Sequence, residues 1–225
     1  MRLLAALLAL AAVPAAAQPA AGPPSAALEA LRRHFPEDHR ALAASLAGKA
    51  PEEARRLAYA GIDKFLRDRV EAVLAAPGPA LVAIEARQGA LLRALGRQDV
   101  KLCAVVGDRG FFSPEALAGA PPSGLDDYGA ALVEAAKAGS AAPASAPAAA
   151  SREDFLAWLE RVGRIEPDVP VKAMLTDREL RLASSPDHLC RGSAAMHEAA
   201  AAMPGEAGER LARTLLRSVI GIPRH

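Results

Sequence analysis

Proline and helix-capping residues cut this chain into short segments, and within them apolar residues recur at three- and four-residue spacings. That is the period of an α-helix with one buried face. Ser25 is placed to cap a helix running to about Phe35, and Pro36-Glu37-Asp38 opens another that ends near Gly48. Pro51-Glu52-Glu53 starts a long one, with proline at its first position and acids on the positive end of the dipole. Its apolar residues Ala54, Ala58, Ile62, Phe65, Leu66 and Val73 keep the spacing until Pro77-Gly78-Pro79. The next helix carries Leu81, Ile84, Leu91, Leu92 and Leu95 and is expected to stop at Gly96, before a further helical stretch from Asp99 to Val106.

Capping signals mark the later starts. Ser113-Pro114 follows Phe112, which with Leu117 makes a staple pattern; Ser123 with Asp126 and Ser151 with Asp154 resemble capping boxes. Thr176-Asp177-Arg178-Glu179 has the fullest pattern, with Leu175 and Leu180 placed as its staple. Ser185-Pro186 opens a helix to about Met203, Pro204-Gly205 ends it, and a last helix carries Leu211, Leu215, Leu216, Val219 and Ile220 up to Gly221. Strand signals are confined to short runs such as Val105-Val106 and Val169 to Val171, and no Asn-Gly or Asp-Gly hairpin turn occurs. The expected fold is all-α, a bundle of about eight to ten helices. Apolar residues make 52 % of the chain but aromatics only 4 %, and alanine alone is about a quarter, so the helices are expected to pack closely around Leu, Ile, Val and Ala.

The first residues read as an export signal. Arg2 is followed by an uninterrupted apolar run from Leu3 to Val13, then Pro14 and the small residues Ala15-Ala16-Ala17. This is the layout of a cleaved secretory signal peptide, with the cut after Ala17. The run is far shorter than the ~20 residues of a membrane span. The expected location is the periplasm of a Gram-negative bacterium. Residues 18–24 read as a disordered lead-in. Residues 138–150 are an uncharged Ala/Pro/Ser/Gly tract, interrupted by Pro143 and Pro147, and are expected to form a linker between helical halves at 25–137 and 151–225 that pack together.

The charges balance, 27 basic against 26 acidic, which speaks against nucleic acid as a partner. Cys103 and Cys190 are the two cysteines, one in each half, and an even count in an exported chain points to a disulfide. Neither belongs to a C-x-x-C motif, and no nucleotide-binding loop or G-x-S-x-G elbow is present. The histidines are His34, His39, His188, His197 and His225. His188 and His197 lie about 180° apart around one predicted helix, and Cys190 and His197 share a face but lie roughly 10 Å apart, so one metal cannot join them. The expectation for these two histidines is a solvated or core-edge position. His34, Glu37 and His39 cluster around Pro36 and are the candidates for an acid/base or metal site on a turn.

Two features are candidates for contact with another molecule. Gly107-Asp108-Arg109-Gly110-Phe111-Phe112 places two aromatics side by side in a loop, with Phe111 filling the core and Phe112 stapling a helix as the alternative. Arg210, Arg213 and Arg217 form a cationic stripe on an amphipathic terminal helix, suited to an acidic partner or an anionic membrane surface, or simply solvated. No residue pattern calls for a cofactor or a metal. Together these features describe an exported helical protein that works by protein interaction, as an accessory or inhibitor-like module. The alternatives are a carrier with a pocket for a small molecule or lipid between helices, and a hydrolase using His34, Glu37 and His39 or a free cysteine.

Overall fold

The computed structural model describes residues 25–111, 124–141 and 148–220, and these are helical throughout, with no strand among them. The expected signal peptide and lead-in, Phe112, the Ser113 and Ser123 caps and the centre of the Ala/Pro tract fall outside the described residues. Twelve helices are described: α1 (Ala26–His34), α2 (Pro36–Leu46), α3 (Pro51–Asp68), α4 (Val70–Leu74), α5 (Gly78–Gln98), α6 (Val100–Arg109), α7 (Leu125–Ser140), α8 (Arg152–Ile165), α9 (Val171–Thr176), α10 (Arg178–Ala183), α11 (Pro186–Ala201) and α12 (Gly205–Ile220). The count exceeds the expected eight to ten. The long segment from Pro51 breaks at Arg69, and Val171 begins a short helix rather than belonging to a strand.

Local capping accounts for many of the starts. Ser25 accepts from the Leu28 amide, Ser185 from the His188 amide, and Ser151 and Asp154 form the reciprocal box. Two expectations need correction. At Thr176 the cap is the next residue: Asp177 accepts from the amides of Glu179 and Leu180, while the Thr176 hydroxyl turns back to the carbonyls of Lys172 and Ala173. Leu175 and Leu180 are 49 % and 36 % exposed and close no buried staple. Asp126, whose expected partner Ser123 lies outside the described residues, also has a long-range role. Its carboxylate reaches about a hundred positions back to the Ser25 hydroxyl and to the amides of Ala26 and Ala27, and so caps α1 from α7.

Helix α5 is the axis of the fold. It packs most extensively on α11, then on α12, α6 and α7; α1 and α4 lean on α7, and α11 also contacts α6 and α8. The larger core joins Leu31, Ile62, Leu66, Leu92 and Tyr128 with Ala194, Ala212 and Leu216 from the far side of the Ala/Pro tract. A smaller core is made by Trp158, Val162, Val171, Met174, Ala195 and Leu211. Neighbouring residues of α11, Ala194 and Ala195, therefore face different cores.

Glycine permits the closest crossings. The expected stop at Gly96 does not occur, and α5 continues to Gln98, where Asp99 caps α6. A Cβ at Gly96 would lie 2.6 Å from the Cys190 sulfur, so the residue answers to packing, not to termination. Gly139 is tighter still: its Cβ would stand 1.7 Å from the backbone oxygen of Ala72. The start of the Ala138–Ala150 tract is thus the end of α7, with Gly139 buried against α4 and Ala138 and Ser140 exposed. Gly139→Val is expected to separate α7 from α4 and to cost about 3 kcal/mol or more, the upper end of the range for overpacking. Chemical denaturation measures it, and a variant within ~0.5 kcal/mol of the parent would show that the helices do not meet there.

Candidate functional site

Four polar side chains form one line through the interior. Glu85 and Gln88 project from α5, His197 from α11 and Tyr128 from α7, with exposures of 0, 3, 6 and 1 %. Glu85 Oε2 lies 2.6 Å from His197 Nδ1, His197 Nε2 lies 3.0 Å from Gln88 Nε2, and the Tyr128 hydroxyl donates to Gln88 Oε1 at 2.9 Å. The donors run in one direction. Gln88 N–H donates to His197 Nε2, so the imidazole proton sits on Nδ1 and is directed at Glu85. Glu85 Oε1 is buried without a hydrogen-bond partner. Burial pushes the Glu85 carboxyl above its ordinary range, against the pull of His197.

A carboxylate–imidazole pair is the geometry of acid/base chemistry, but this one is closed off from solvent, and among the described residues its hydrogen bonds run to Gln88 and no nucleophile. Its described role is to join α5, α7 and α11. The expectation that His197 is solvated or at the core edge is therefore corrected. A sequence signal was present: Glu85 and Gln88 stand at helical spacing among Leu81, Ile84, Leu91, Leu92 and Leu95, on the apolar face of α5.

The raised Glu85 pKa has a pH consequence. The native carboxyl keeps its proton to a higher pH than the unfolded one, so stability falls as pH rises from the ordinary glutamate range through the native value. Glu85→Gln removes that titration while keeping an acceptor for His197 Nδ1. The deficit of Glu85→Gln relative to the parent is expected to shrink as pH rises above about 4.3, the ordinary glutamate value. Urea melts from pH 4 to pH 8 test this, and a deficit constant across that span would contradict it.

Beside this line an ion network runs along the edge of the α5–α11 contact. Arg93 donates to Glu198 at 2.9 and 2.8 Å and to Glu166 at 2.5 Å. Arg191 donates to Glu166 at 2.9 Å, to Asp168 at 2.7 Å and to Asp187 at 3.2 Å. Burial alone would raise the Glu166 carboxyl, but the bonds from Arg191 and Arg93 outweigh it and hold the group below its ordinary range.

Cys103 and Cys190 form the expected disulfide, joining α6 to α11 across 87 positions, and both are buried. With no free cysteine among the described residues, the cysteine-hydrolase alternative loses its nucleophile. His34, Glu37 and His39 do not converge. His34 Nε2 faces Glu134 of α7 at 2.8 Å, Glu37 is exposed, and the neighbouring Asp38 is taken by Arg69. Among the described residues no group of three or more His, Cys, Asp or Glu is gathered to hold a metal.

Of the two contact candidates, Phe111 takes its core alternative, Phe112 lies outside the described residues, and the arginine stripe has partners within the chain. Phe111 is 3 % exposed and lies against the Tyr128 ring, so it is core. Within the stripe, Arg210 and Arg213 are half-buried, and Arg217 is exposed. Arg210 grips Asp154 at 2.9 and 3.0 Å and pulls that carboxyl well below its usual range; Arg213 donates to the Leu74 carbonyl at the end of α4; Arg217 pairs with Glu71 at 2.6 Å. Each of the three arginines thus has a partner on α8 or α4.

Comparison with known proteins adds no relative: no family model, no curated protein and no solved structure matches the chain.

Two surface features remain. A cleft of about 70 Å³ opens between α6, α9, α10 and α11, walled by Val171, Met174, Leu189 and Met196, with Leu175 and Arg181 also lining it. Helix α10, beside it, has no buried residue, and Leu182 is 68 % exposed. The second feature is a groove of about 460 Å³ between α2 and α3, lined by Leu31, Leu42, Leu57, Ala60 and Phe65 and rimmed by Asp38 and Lys64. Helix α2 likewise has no buried residue. No described helix is long and apolar enough to cross a membrane.

Proposed function

We propose that this is an exported, periplasmic helical protein, released by cleavage after Ala17, that acts by binding another protein as an accessory or inhibitor-like module. The observation that carries the reading is the α9–α10 face. Leu175, Leu180 and Leu182 are all exposed there, on helices that also line an open apolar cleft. Apolar anchors beside a small cleft are the usual centre of a protein interface. The closed Glu85–His197 line and the disulfide-bonded cysteines support binding over catalysis.

The test is a photo-crosslinking residue at position 182, compared with one at position 156, where Leu156 is 50 % exposed on α8. A discrete adduct from position 182 that is missing from position 156 is expected. Equal patterns from both positions, or none from 182, would overturn the reading. Export is tested separately by the mass of the mature protein: an N-terminus at Gln18 is expected, and a product that keeps Met1 would defeat it.

The α2–α3 groove favours a second reading, the carrier, because its volume lies within the range of small-molecule sites. An apolar fluorophore that brightens with the parent protein, and not with Ala60→Phe, would support it. Equal response from both proteins would count against it.

A further inference from the structure

We infer that the buried line Glu85–His197–Gln88–Tyr128 is a one-proton switch: on taking up a proton it reverses the direction of its hydrogen bonds, and the Gln88 amide turns over. The inference holds whichever partner the surface binds. As the line stands, the Tyr128 hydroxyl donates to Gln88 Oε1, Gln88 Nε2 donates to His197 Nε2, and Nδ1–H points at Glu85 Oε2. The run of donors ends on a carboxylate.

A proton arriving at that carboxylate has two places to go. On Oε1 it would make a hydroxyl with no acceptor, because that oxygen is buried and has no hydrogen-bond partner. A buried donor without a partner is costly. On Oε2 it would enter the 2.6 Å contact with Nδ1, which already carries a proton. That contact has room for one proton, whichever of the two atoms owns it. The second is therefore held on the other ring nitrogen, Nε2.

Nε2–H then faces the Gln88 Nε2 donor at 3.0 Å, two donors against each other. Half a turn of the Gln88 amide resolves the clash. Its oxygen then accepts from His197 Nε2–H, its N–H donates to the Tyr128 oxygen, and the tyrosine accepts where it had donated. Amide oxygen and nitrogen are nearly equal in size, so no other heavy atom has to move. The line gains one proton from solvent, and the tyrosine keeps its own hydrogen, turned away from Gln88.

Burial favours uptake. Without the proton the interior holds a carboxylate beside a neutral imidazole; with it the line has no net charge. Charges on the surrounding helices are engaged elsewhere. Arg93 of α5 holds Glu198 and Glu166, and Arg191 of α11 holds Glu166 and Asp168. On α12, Glu209 lies against Gly78 and Arg213 donates to the Leu74 carbonyl. Asp126 of α7 caps α1, and Asp108 of α6 faces Arg181. Asp63 of α3, which lines a small cavity with Tyr128, pairs with Arg67 at 3.1 Å. His197 is the charge that acts on the Glu85 carboxyl, and burial outweighs it.

The test is NMR of the mature protein labelled with 15N in histidine and glutamine and 13C in glutamate, titrated over about pH 4–9. The Glu85 carboxyl and His197 Nε2 are expected to titrate together, with one midpoint above about 4.3. As the pH falls, Nε2 is expected to change from the bare to the protonated nitrogen signal, and the Gln88 side-chain amide to shift at the same midpoint. In Glu85→Gln the His197 step is expected to disappear or to move down by at least about one pH unit, because the carboxylate that favours uptake is gone. A carboxyl that titrates while Nε2 stays bare would place the proton on Oε1 and overturn the inference. So would a line that takes up no proton across the range, or a His197 step at an unchanged midpoint in Glu85→Gln. If that variant does not fold, the titration of the parent decides alone.

Discussion

Replacing Cys103 and Cys190 together by alanine is expected to lower the stability of the oxidised protein by up to about 4–5 kcal/mol. The bridge closes a loop of 87 positions, and the entropy it removes from the unfolded chain grows with loop length. A loss of that size is a large share of the ~5–15 kcal/mol that holds an ordinary domain together. The structure also indicates how the loss should appear. Helices α11 and α12 place Ala194, Ala212 and Leu216 in the same core as Leu31, Leu66 and Leu92, so residues 151–220 are not held to the rest by the disulfide alone. The variant should therefore unfold at lower denaturant in one transition, with no early release of the C-terminal helices. The sole tryptophan, Trp158, reports on the smaller core, while far-ultraviolet circular dichroism reports on all helices. Coincident curves are expected. A tryptophan transition well ahead of the helical one would show that the smaller core melts independently.

His197→Ala is expected to cost about 3–5 kcal/mol, the usual loss when one member of a buried ionisable pair is removed. The reason lies in what remains. Glu85 is fully buried, one carboxylate oxygen already lacks a partner, and the other would lose its bond to Nδ1. Gln88 would lose its acceptor at the same time, leaving only Tyr128 on its carbonyl side. Replacing the pair together, Glu85→Met with His197→Leu, should cost less than His197→Ala alone, because no polar group is then stranded. Denaturant unfolding of the two single variants and the double gives the coupling directly. A His197→Ala loss below ~1 kcal/mol would mean that Glu85 gains water or another partner when the imidazole is gone.

How far the chain could be read in advance depends on the range of each signal. The starts at Ser25, Pro36, Pro51, Ser151 and Ser185 were legible because a cap or an N-terminal proline acts within one turn of itself. Thr176 was read as the cap where Asp177 serves, since both residues cap well and the choice rests on where α9 ends against its neighbours. The cysteine pairing was legible because two cysteines allow only one intrachain bridge. Among the candidate sites, little was legible. The arginine stripe of α12 was recognised as a stripe, but its partners Asp154, Leu74 and Glu71 lie 56, 139 and 146 positions away. Phe111 could be read as core or contact until Tyr128 was seen against it.

The amino-acid sequence by itself determined that the described chain is helical, where several helices begin, and that its two thiols can meet. These follow from the 3.6-residue period, from hydrogen bonds closed within one turn, and from a cysteine count of two. Only the tertiary structure decided which polar residues are buried, which charges are spent on holding helices together, and which apolar residues are left outside. The reason is physical. A helix turns its side chains outward in every direction, and whether Glu85 or Leu182 meets water depends on which helix lies over it, a choice made by packing between segments far apart in the chain.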